Sequence, residues 1–360
     1  MTPSFWKGKR VLVTGHTGFK GGWLTLWLQN VGAEVTGFSI NIPSEPSFYK
    51  VARVHQDVNS LRCDIRDFDC LKNVIEKHRP EIVIHMAALP LVRHSYKYPL
   101  DTLSTNILGS IHVLEAIRQS GGVRVVINVT SDKCYENREW VWGYRETDPM
   151  GGHDPYSSSK GCSELITAAY RQSFFRSSVN TEPTVALSSA RAGNVIGGGD
   201  WSQDRLIPDM VRSFVNKRPI VIRSPEAIRP WQHVLDPFMG YMILAEKLWE
   251  QGESFADSWN FGPNENDSCS VAKIADQVIV EWGEEVTWEK DTQSSAHEAT
   301  QLKLDCSKAK NSLGWVPSWI FEKTIRKTVE WYKAHLKGHE MRSFSLQQIS
   351  EYQIDAKNLI

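Results

Sequence analysis

The stretch Arg10–Gly22, RVLVTGHTGFKGG, decides the fold. RVLVT is an apolar run of strand length, and Gly15, Gly18 and Gly21 follow it as a GxxGxxG turn that opens a helical pattern. Glycines let a backbone come close to a pyrophosphate, and a helix N-terminus offers it amide donors and a partial positive charge. A glycine triplet alone is weak evidence. Strand, triplet and helix within one βαβ unit predict a dinucleotide site over a purely structural turn. Thr17 and Phe19 share the loop and count with its cofactor-binding residues.

Working outward, apolar runs at Glu34–Ile40, Val58–Cys63, Ile82–Met86, Val123–Thr130 and Val185–Ala190 alternate with helical patterns near Phe68–His78, Asn106–Gln119 and Tyr156–Phe175. That rhythm predicts an α/β protein with a Rossmann-type, doubly wound parallel sheet, because strands that read as continuous apolar runs are covered on both faces. Asp67 and Asp101 sit just ahead of helical patterns as N-terminal signals. After Arg191 the texture changes to GNVIGGGDW and scattered prolines. The expected division is residues 1–192 for the cofactor, with a returning segment near 231–260, and 193–360 mostly as a smaller, loop-rich substrate-binding lobe. The tail beyond Met341 is polar, and its packing is left open.

Dinucleotide-binding strands usually close with an acidic residue about 20 positions after the glycines, to hold the adenosine ribose. Here EVTGFSI ends at Ser39 and Asn41, which can bond a ribose hydroxyl without a carboxylate, and no arginine stands beside them for a 2′-phosphate. NAD is therefore expected over NADP, with weaker affinity than usual. Asp64 and Ile65 close the third strand, where the carboxylate meets the adenine amino group or caps a helix. Ala87 and Ala88 are small where the chain must pass close to a cofactor, or simply small core residues.

The composition excludes several classes. With 41 Lys+Arg against 42 Asp+Glu the net charge is -1, so a nucleic-acid partner is not expected. Six cysteines, at 63, 70, 134, 162, 269 and 306, form no CxxC pair and read as reduced thiols of a cytoplasmic enzyme, Cys134 as a small buried residue. MTPSFWKGKR does not read as a signal peptide, and no apolar run has spanning length, so no membrane partner is expected. No HxxxH or HExxH pattern suggests a metal; His85, His94, His153 and His233 read as structural.

Chemistry concentrates in Ser131-Asp132-Lys133, at the end of an apolar strand, and in Tyr156 and Lys160, four apart on one helix face. A phenol accepts a proton near neutral pH only if its pKa of about 10 is lowered, and Lys160 with an oxidised nicotinamide is expected to do that. TGxxGxxG, a strand-end Ser-Asp and YSSSK together resemble the extended short-chain dehydrogenase/reductases, from about Arg10 to beyond His233. Thr130–Glu164, TSDKCYENREWVWGYRETDPMGGHDPYSSSKGCSE, resembles the nucleotide-sugar 4,6-dehydratases among them. Asp132-Lys133 in place of the branch's usual Asp-Glu, with the WVWGYRE insertion, points to the enzymes that take CDP-glucose.

The resemblance implies a lyase that uses NAD to oxidise C4, lose water across C5 and C6 and return hydride to C6, forming a deoxysugar of the kind used in O-antigen lipopolysaccharide. Tyr156 would be the base at the 4-hydroxyl, with Ser131 bonding the same oxygen and Lys160 beside them. Asp132, kept protonated, would be the acid for the leaving hydroxyl. Lys133 is either the C5 base or an enolate-stabilising charge. Asn106 would order the site or cap its helix. Asn194 would contact substrate, and Arg205, Arg223 and Arg229 would hold the diphosphate or base, although any one of them serves equally as a surface ion-pair partner. One of Trp140, Trp142, Trp201 and Trp231 would stack on the base. A homodimer packed through helices is implied too. The alternatives are a nucleotide-sugar 4-epimerase or reductase, which needs no acid and base for water loss, a dehydratase for another nucleotide sugar, and a non-catalytic nucleotide binder, which has no need of Ser131, Tyr156 and Lys160 together.

Overall fold

Seven parallel strands form the central sheet of the structure, a computed structural model that describes residues 1–176, 184–283, 287–292 and 299–359. They are β1 (Arg10–Thr14), β2 (Glu34–Ser39), β3 (Asn59–Arg62), β4 (Ile82–His85), β5 (Val125–Val129), β6 (Ala186–Ala192) and β7 (Ser258–Phe261). Their order is β7-β6-β5-β4-β1-β2-β3. The chain therefore winds outward in opposite directions from the β1/β4 pair, which leaves a crevice at the carboxyl ends of these two strands.

Period-two alternation assigns each strand's side chains to two cores. Leu12, Val83 and Val126 face a cluster with Leu71, Ile75, Val113 and Ile117 from helices α2 (Phe68–His78) and α3 (Gly109–Ser120). Val13, Ile84 and Ile127 face the larger cluster, with Trp23, Trp27 and Leu28 of α1 (Phe19–Asn30). Burying each large apolar side chain is worth roughly 1.5–3 kcal/mol, so this double-sided core holds the strand ends that carry the site. Helix α4 (Pro155–Ser173), capped by Asp154 with Pro155 at its first turn, packs against α3 and β6.

Beyond β6 come α5 (Leu206–Val215), α6 (Leu235–Gln251), α7 (Val271–Trp282) and three two-stranded pairs. After α6 the chain re-enters the sheet as β7 beside β6. Helix α8 (Phe321–Leu336) packs on α7 and on α9 (Met341–Lys357), the polar tail, which docks back on α1, where Tyr352 meets Trp27 at 5.8 Å; Tyr352 also meets Trp319 at 5.2 Å. Among the described residues no helix is long and apolar enough to cross a membrane. Residues 284–286, 293–298 and 360 of the expected substrate lobe lie outside the described residues.

Two expectations are corrected. Cys63 and Cys70 are not separate thiols but a disulfide: β3 runs into a turn capped by Asp67, which accepts from the Cys70 amide, and folds the two Cα atoms to 6.8 Å. Among the described residues the one grouping with metal-ligand proximity is Cys63, Asp67 and Cys70, and its two sulfurs are bonded to each other. Asn106 is no helix cap. The helical run begins at Pro99, and Asn106 lies in a π-helical turn, Ser104–Leu108, leading into α3.

Candidate active site

A cavity of about 1960 Å³ opens at the carboxyl ends of the strands. Its wall includes Gly15, Thr17, Gly18, Phe19, Gly21, Ser39, Asp64, Ile65, Ala87 and Ala88 at one end, and Ser131, Asp132, Lys133, Tyr156, Lys160, Asn194, Arg205, Arg223 and Arg229 at the other. The expected residues thus converge from well-separated segments of chain, with one exception. Asn106 is buried away from the cavity: its side chain accepts from the Leu89 amide (2.8 Å) and donates to the Leu89 carbonyl (3.1 Å) and to Ser159 Oγ (2.9 Å), so it fixes the cavity wall to α4.

The glycine loop has the form a pyrophosphate needs. Gly15 has φ +78°, and a Cβ there would lie 2.9 Å from the Ala87 amide nitrogen; a Cβ on Gly21 would lie 2.0 Å from the Gly15 carbonyl oxygen. Only hydrogen fits at either place, and the helix that starts after Gly18 brings its first turn to the cavity wall. The Ser39 hydroxyl, expected at the ribose, bonds His16 Nδ1 at 2.9 Å, while His16 Nε2 reaches Ser60 Oγ at 2.8 Å. Burial lowers His16 to about 4, so the imidazole beside Ser39 is neutral. Asp64 is no helix cap; its carboxylate is held by the Arg66 guanidinium and backbone amide, which lower its pKa.

In the chemical end, Ser131 Oγ donates to Asp132 Oδ1 at 2.9 Å and accepts from the Lys133 amide. Asp132 is buried, and its Oδ2 has no hydrogen-bond partner. Burial raises its pKa against the charges of Lys133 and Arg229 and the bond from Ser131, which favours the protonated acid. Tyr156 departs from expectation. Its phenol is pushed up to about 12 by burial, against a hydrogen bond from Ser131 and the charge of Arg205. Lys160 points its amine at the Val129 carbonyl, 3.3 Å away, and desolvation lowers it to about 8.

Lys20, within the decisive loop, is a site residue that the sequence reading misses. It lines the cavity from the first turn of α1, and burial together with the charges of Lys160 and Arg205 lowers its amine to about 7, against the raising effect of Asp132. A lysine set inside the glycine turn, between Gly18 and Gly21, was the available signal.

The substrate end is cationic. Arg229 is buried and donates to the Ile228 carbonyl (2.9 Å) and the Ala299 carbonyl (2.5 Å). Arg205 pairs with Asp200 at 3.7 Å, and Arg223 reaches the Asp204 carbonyl at 3.4 Å. The Asn194 carbonyl accepts from the Gln232 amide at 3.0 Å. Trp201 and Trp231 line the cavity; Trp140 and Trp142 do not, Trp140 stacking on Tyr144 instead. His94 and His153 lie on the cavity wall, whereas His85 and His233 are buried, with burial lowering both to about 3.

A family model described as GDP-mannose 4,6 dehydratase matches residues 12–328. The chain belongs to that family. Among members of the wider group, a CDP-glucose 4,6-dehydratase of Salmonella typhimurium is 52% identical over 349 residues, 97% of either chain. Among solved structures, an epimerase of Methanothermobacter thermautotrophicus superposes with a TM-score of 0.79 at 24% identity, covering 93% of this chain and 95% of that one. A dTDP-glucose 4,6-dehydratase of Streptomyces venezuelae, solved with NAD bound, gives 0.78 at 21%, covering 92% and 99%. At such identities these two likenesses speak for the fold of this dehydratase-family chain, not for its substrate.

Proposed function

We propose that this dehydratase-family chain converts CDP-D-glucose to CDP-4-keto-6-deoxy-D-glucose, with NAD as its resident cofactor. The observation that carries the reading is Asp132: a buried carboxyl on the cavity wall, hydrogen-bonded to Ser131 through one oxygen and with the other unpartnered, beside Tyr156. An acid so placed has no use in epimerisation and a direct one in expelling the 6-hydroxyl. The substantial likeness to the Salmonella CDP-glucose enzyme supports the choice of substrate.

The glycine loop, with Thr17, Phe19, Ser39, Asp64, Ile65, Ala87 and Ala88, fits NAD, since its cradle closes if either Gly15 or Gly21 gains a Cβ. When bound, NAD supplies the hydride acceptor and donor. The chain's own groups handle the protons. Tyr156, bonded to Ser131, takes the 4-hydroxyl proton once a cation has lowered its phenol, and Asp132 gives its proton to the departing 6-hydroxyl. Lys133, which lies beside Asp132, takes the C5 proton on its neutral amine and, once charged, stabilises the enolate; it gives that proton back to C5 as hydride returns to C6. Asn194, Arg205, Arg223 and Arg229 face the diphosphate and base.

In this reading residues 1–192, with a return near 231–260, hold the cofactor and most of 193–360 holds the substrate. The protein is a cytoplasmic homodimer, with exposed Leu108, Leu165 and Phe174 around α3 and α4 offering an apolar contact for a second copy. The experiment that tests the substrate is a comparison of CDP-, dTDP-, UDP- and GDP-glucose and GDP-mannose as substrates of the purified protein with NAD. CDP-glucose is expected to be turned over most efficiently; preference for any other would overturn the assignment.

A further inference from the structure

Glu164 lies four residues beyond Lys160, on the same face of α4, and its side chain is 3% exposed. Its carboxylate is a junction. Oε1 accepts from Thr130 Oγ1; Oε2 accepts from Ser189 Oγ at 2.6 Å, Arg191 Nη2 at 2.8 Å and Ser258 Oγ at 3.3 Å. Thr130 is the residue before Ser131, Ser189 and Arg191 belong to β6, and Ser258 begins β7. Arg191 continues the network to Tyr135 Oη at 2.7 Å, and Tyr135 donates to Asn260 Oδ1 at 2.7 Å. One carboxylate thus ties the helix of Tyr156 and Lys160 to the strand end of Ser131 and Asp132.

A buried ion pair of this kind is not explained by stability, because desolvating both ions costs about what their attraction returns. What it does here is place a negative charge behind Lys160. The titratable groups whose charge couples to that amine are Lys20 from α1, His85 from β4, Cys134 after β5, and Glu164 from its own helix. His85 is neutral, since burial lowers it to about 3, and the Cys134 thiol is held protonated by burial. Glu164 is therefore the carboxylate among them, and the first influence that opposes the desolvation of Lys160.

We propose that Glu164 is a positioning residue, supplying the counter-charge that keeps Lys160 cationic and locking α4 to the strand end that carries Ser131 and Asp132. The proposal rests on the reading of Lys160 as part of the redox half of the site. Losing the counter-charge lets Lys160 shed its proton at lower pH, so the Lys160 ionisation in the pH profile of kcat/KM moves toward acid.

The test is Glu164→Gln combined with Arg191→Met, which removes both buried charges together and leaves no guanidinium unpaired; Glu164→Gln alone is the second variant. The Lys160 ε-methylene is titrated by NMR, assigned by its loss in Lys160→Met, and the pH profile of kcat/KM is recorded beside it. Lys160 is expected to titrate near 8 in the parent chain and at least about one pH unit lower in the variants, with its ionisation in the kcat/KM profile following. Ser258→Ala, which deletes one hydrogen bond but no charge, is expected to leave the titration in place. An unmoved Lys160 titration in either folded variant would overturn the proposal. The NMR reading needs no substrate, so it is separable from failure of the dehydratase reading, which would show as absence of turnover in the parent chain.

Discussion

Lys160 donates to the Val129 carbonyl at 3.3 Å, so the amine four residues after Tyr156 is anchored to the end of the strand that leads to Ser131. Burial then leaves the Tyr156 phenol at about 12. A group that high is a poor base at neutral pH, and lowering it must accompany ligand binding. Following the phenolate absorbance of the protein and of Tyr156→Phe should show a transition near 12 that moves down by at least about one pH unit when NAD is added, because the oxidised nicotinamide brings positive charge. A transition indifferent to NAD would refute this. Tyr156→Phe should lower kcat by about 10²–10⁴.

The acid should be separable from the base. Asp132→Asn keeps the size of a side chain that burial already favours in its neutral form, but it cannot give up a proton to a leaving hydroxyl. Dehydration is expected to fall by about 10²–10⁴ while reduced nicotinamide still forms in the first turnover. Rapid-mixing absorbance at the reduced cofactor's band checks this; equal loss of both phases would assign Asp132 to the redox step instead.

A third expectation concerns stability. Asp236, in the first turn of α6, is fully buried, and burial raises its carboxyl to about 7. Tyr352 Oη and the Ser318 amide each donate to its Oδ1 at 2.7 Å, and Oδ2 has no partner. Because the folded pKa is the higher one, the protonated form is stabilising: the contribution is complete below about pH 4 and is lost as pH rises to about 7. Asp236→Asn should therefore match the parent near pH 4 and exceed it by a few kcal/mol at pH 8, on the order of 1.4 kcal/mol for each pH unit that separates the folded from the unfolded pKa. Tm measured across that range checks the sign, and a variant less stable at pH 8 would contradict it.

The glycine cradle makes a fourth prediction. Gly21→Ala would set a methyl 2.0 Å from the Gly15 carbonyl, and backbone there has no room to yield without moving the turn. NAD binding measured by calorimetry should weaken by about tenfold or more, a loss of about 1.4 kcal/mol or greater. Unchanged affinity would mean that the pyrophosphate lies elsewhere.

Much of this is legible in the chain. The β1 to α1 passage carries a local signal, since strand, glycines and helix are contiguous, and alternation within RVLVT and IVIH already separates the two cores. The partners of Asp132 are half visible, because Ser131 is adjacent. Arg229 is not adjacent, and its charge reaches Asp132 only because the chain beyond β6 folds back onto the cavity. The pairing of Cys63 with Cys70 escapes a sequence reading because their separation of 7 matches no short motif; the turn at Asp67 closes it. The direction of the Tyr156 phenol escapes it too, because spacing places Lys160 on the same face without revealing that its amine turns to Val129. The docking of the tail is hidden because Met341–Lys357 is polar overall; its large residues Met341, Phe344, Leu346, Ile349 and Tyr352 dock it on the core.

The central claim is that one site performs both the redox and the dehydration halves, with hydride returned to the carbon that lost the hydroxyl. CDP-glucose deuterated at C4, incubated with the protein and NAD, should give a 4-keto-6-deoxy product with the deuterium at C6, read by mass spectrometry and NMR. An intact hexose epimer as product, or deuterium lost to solvent with none at C6, would contradict it.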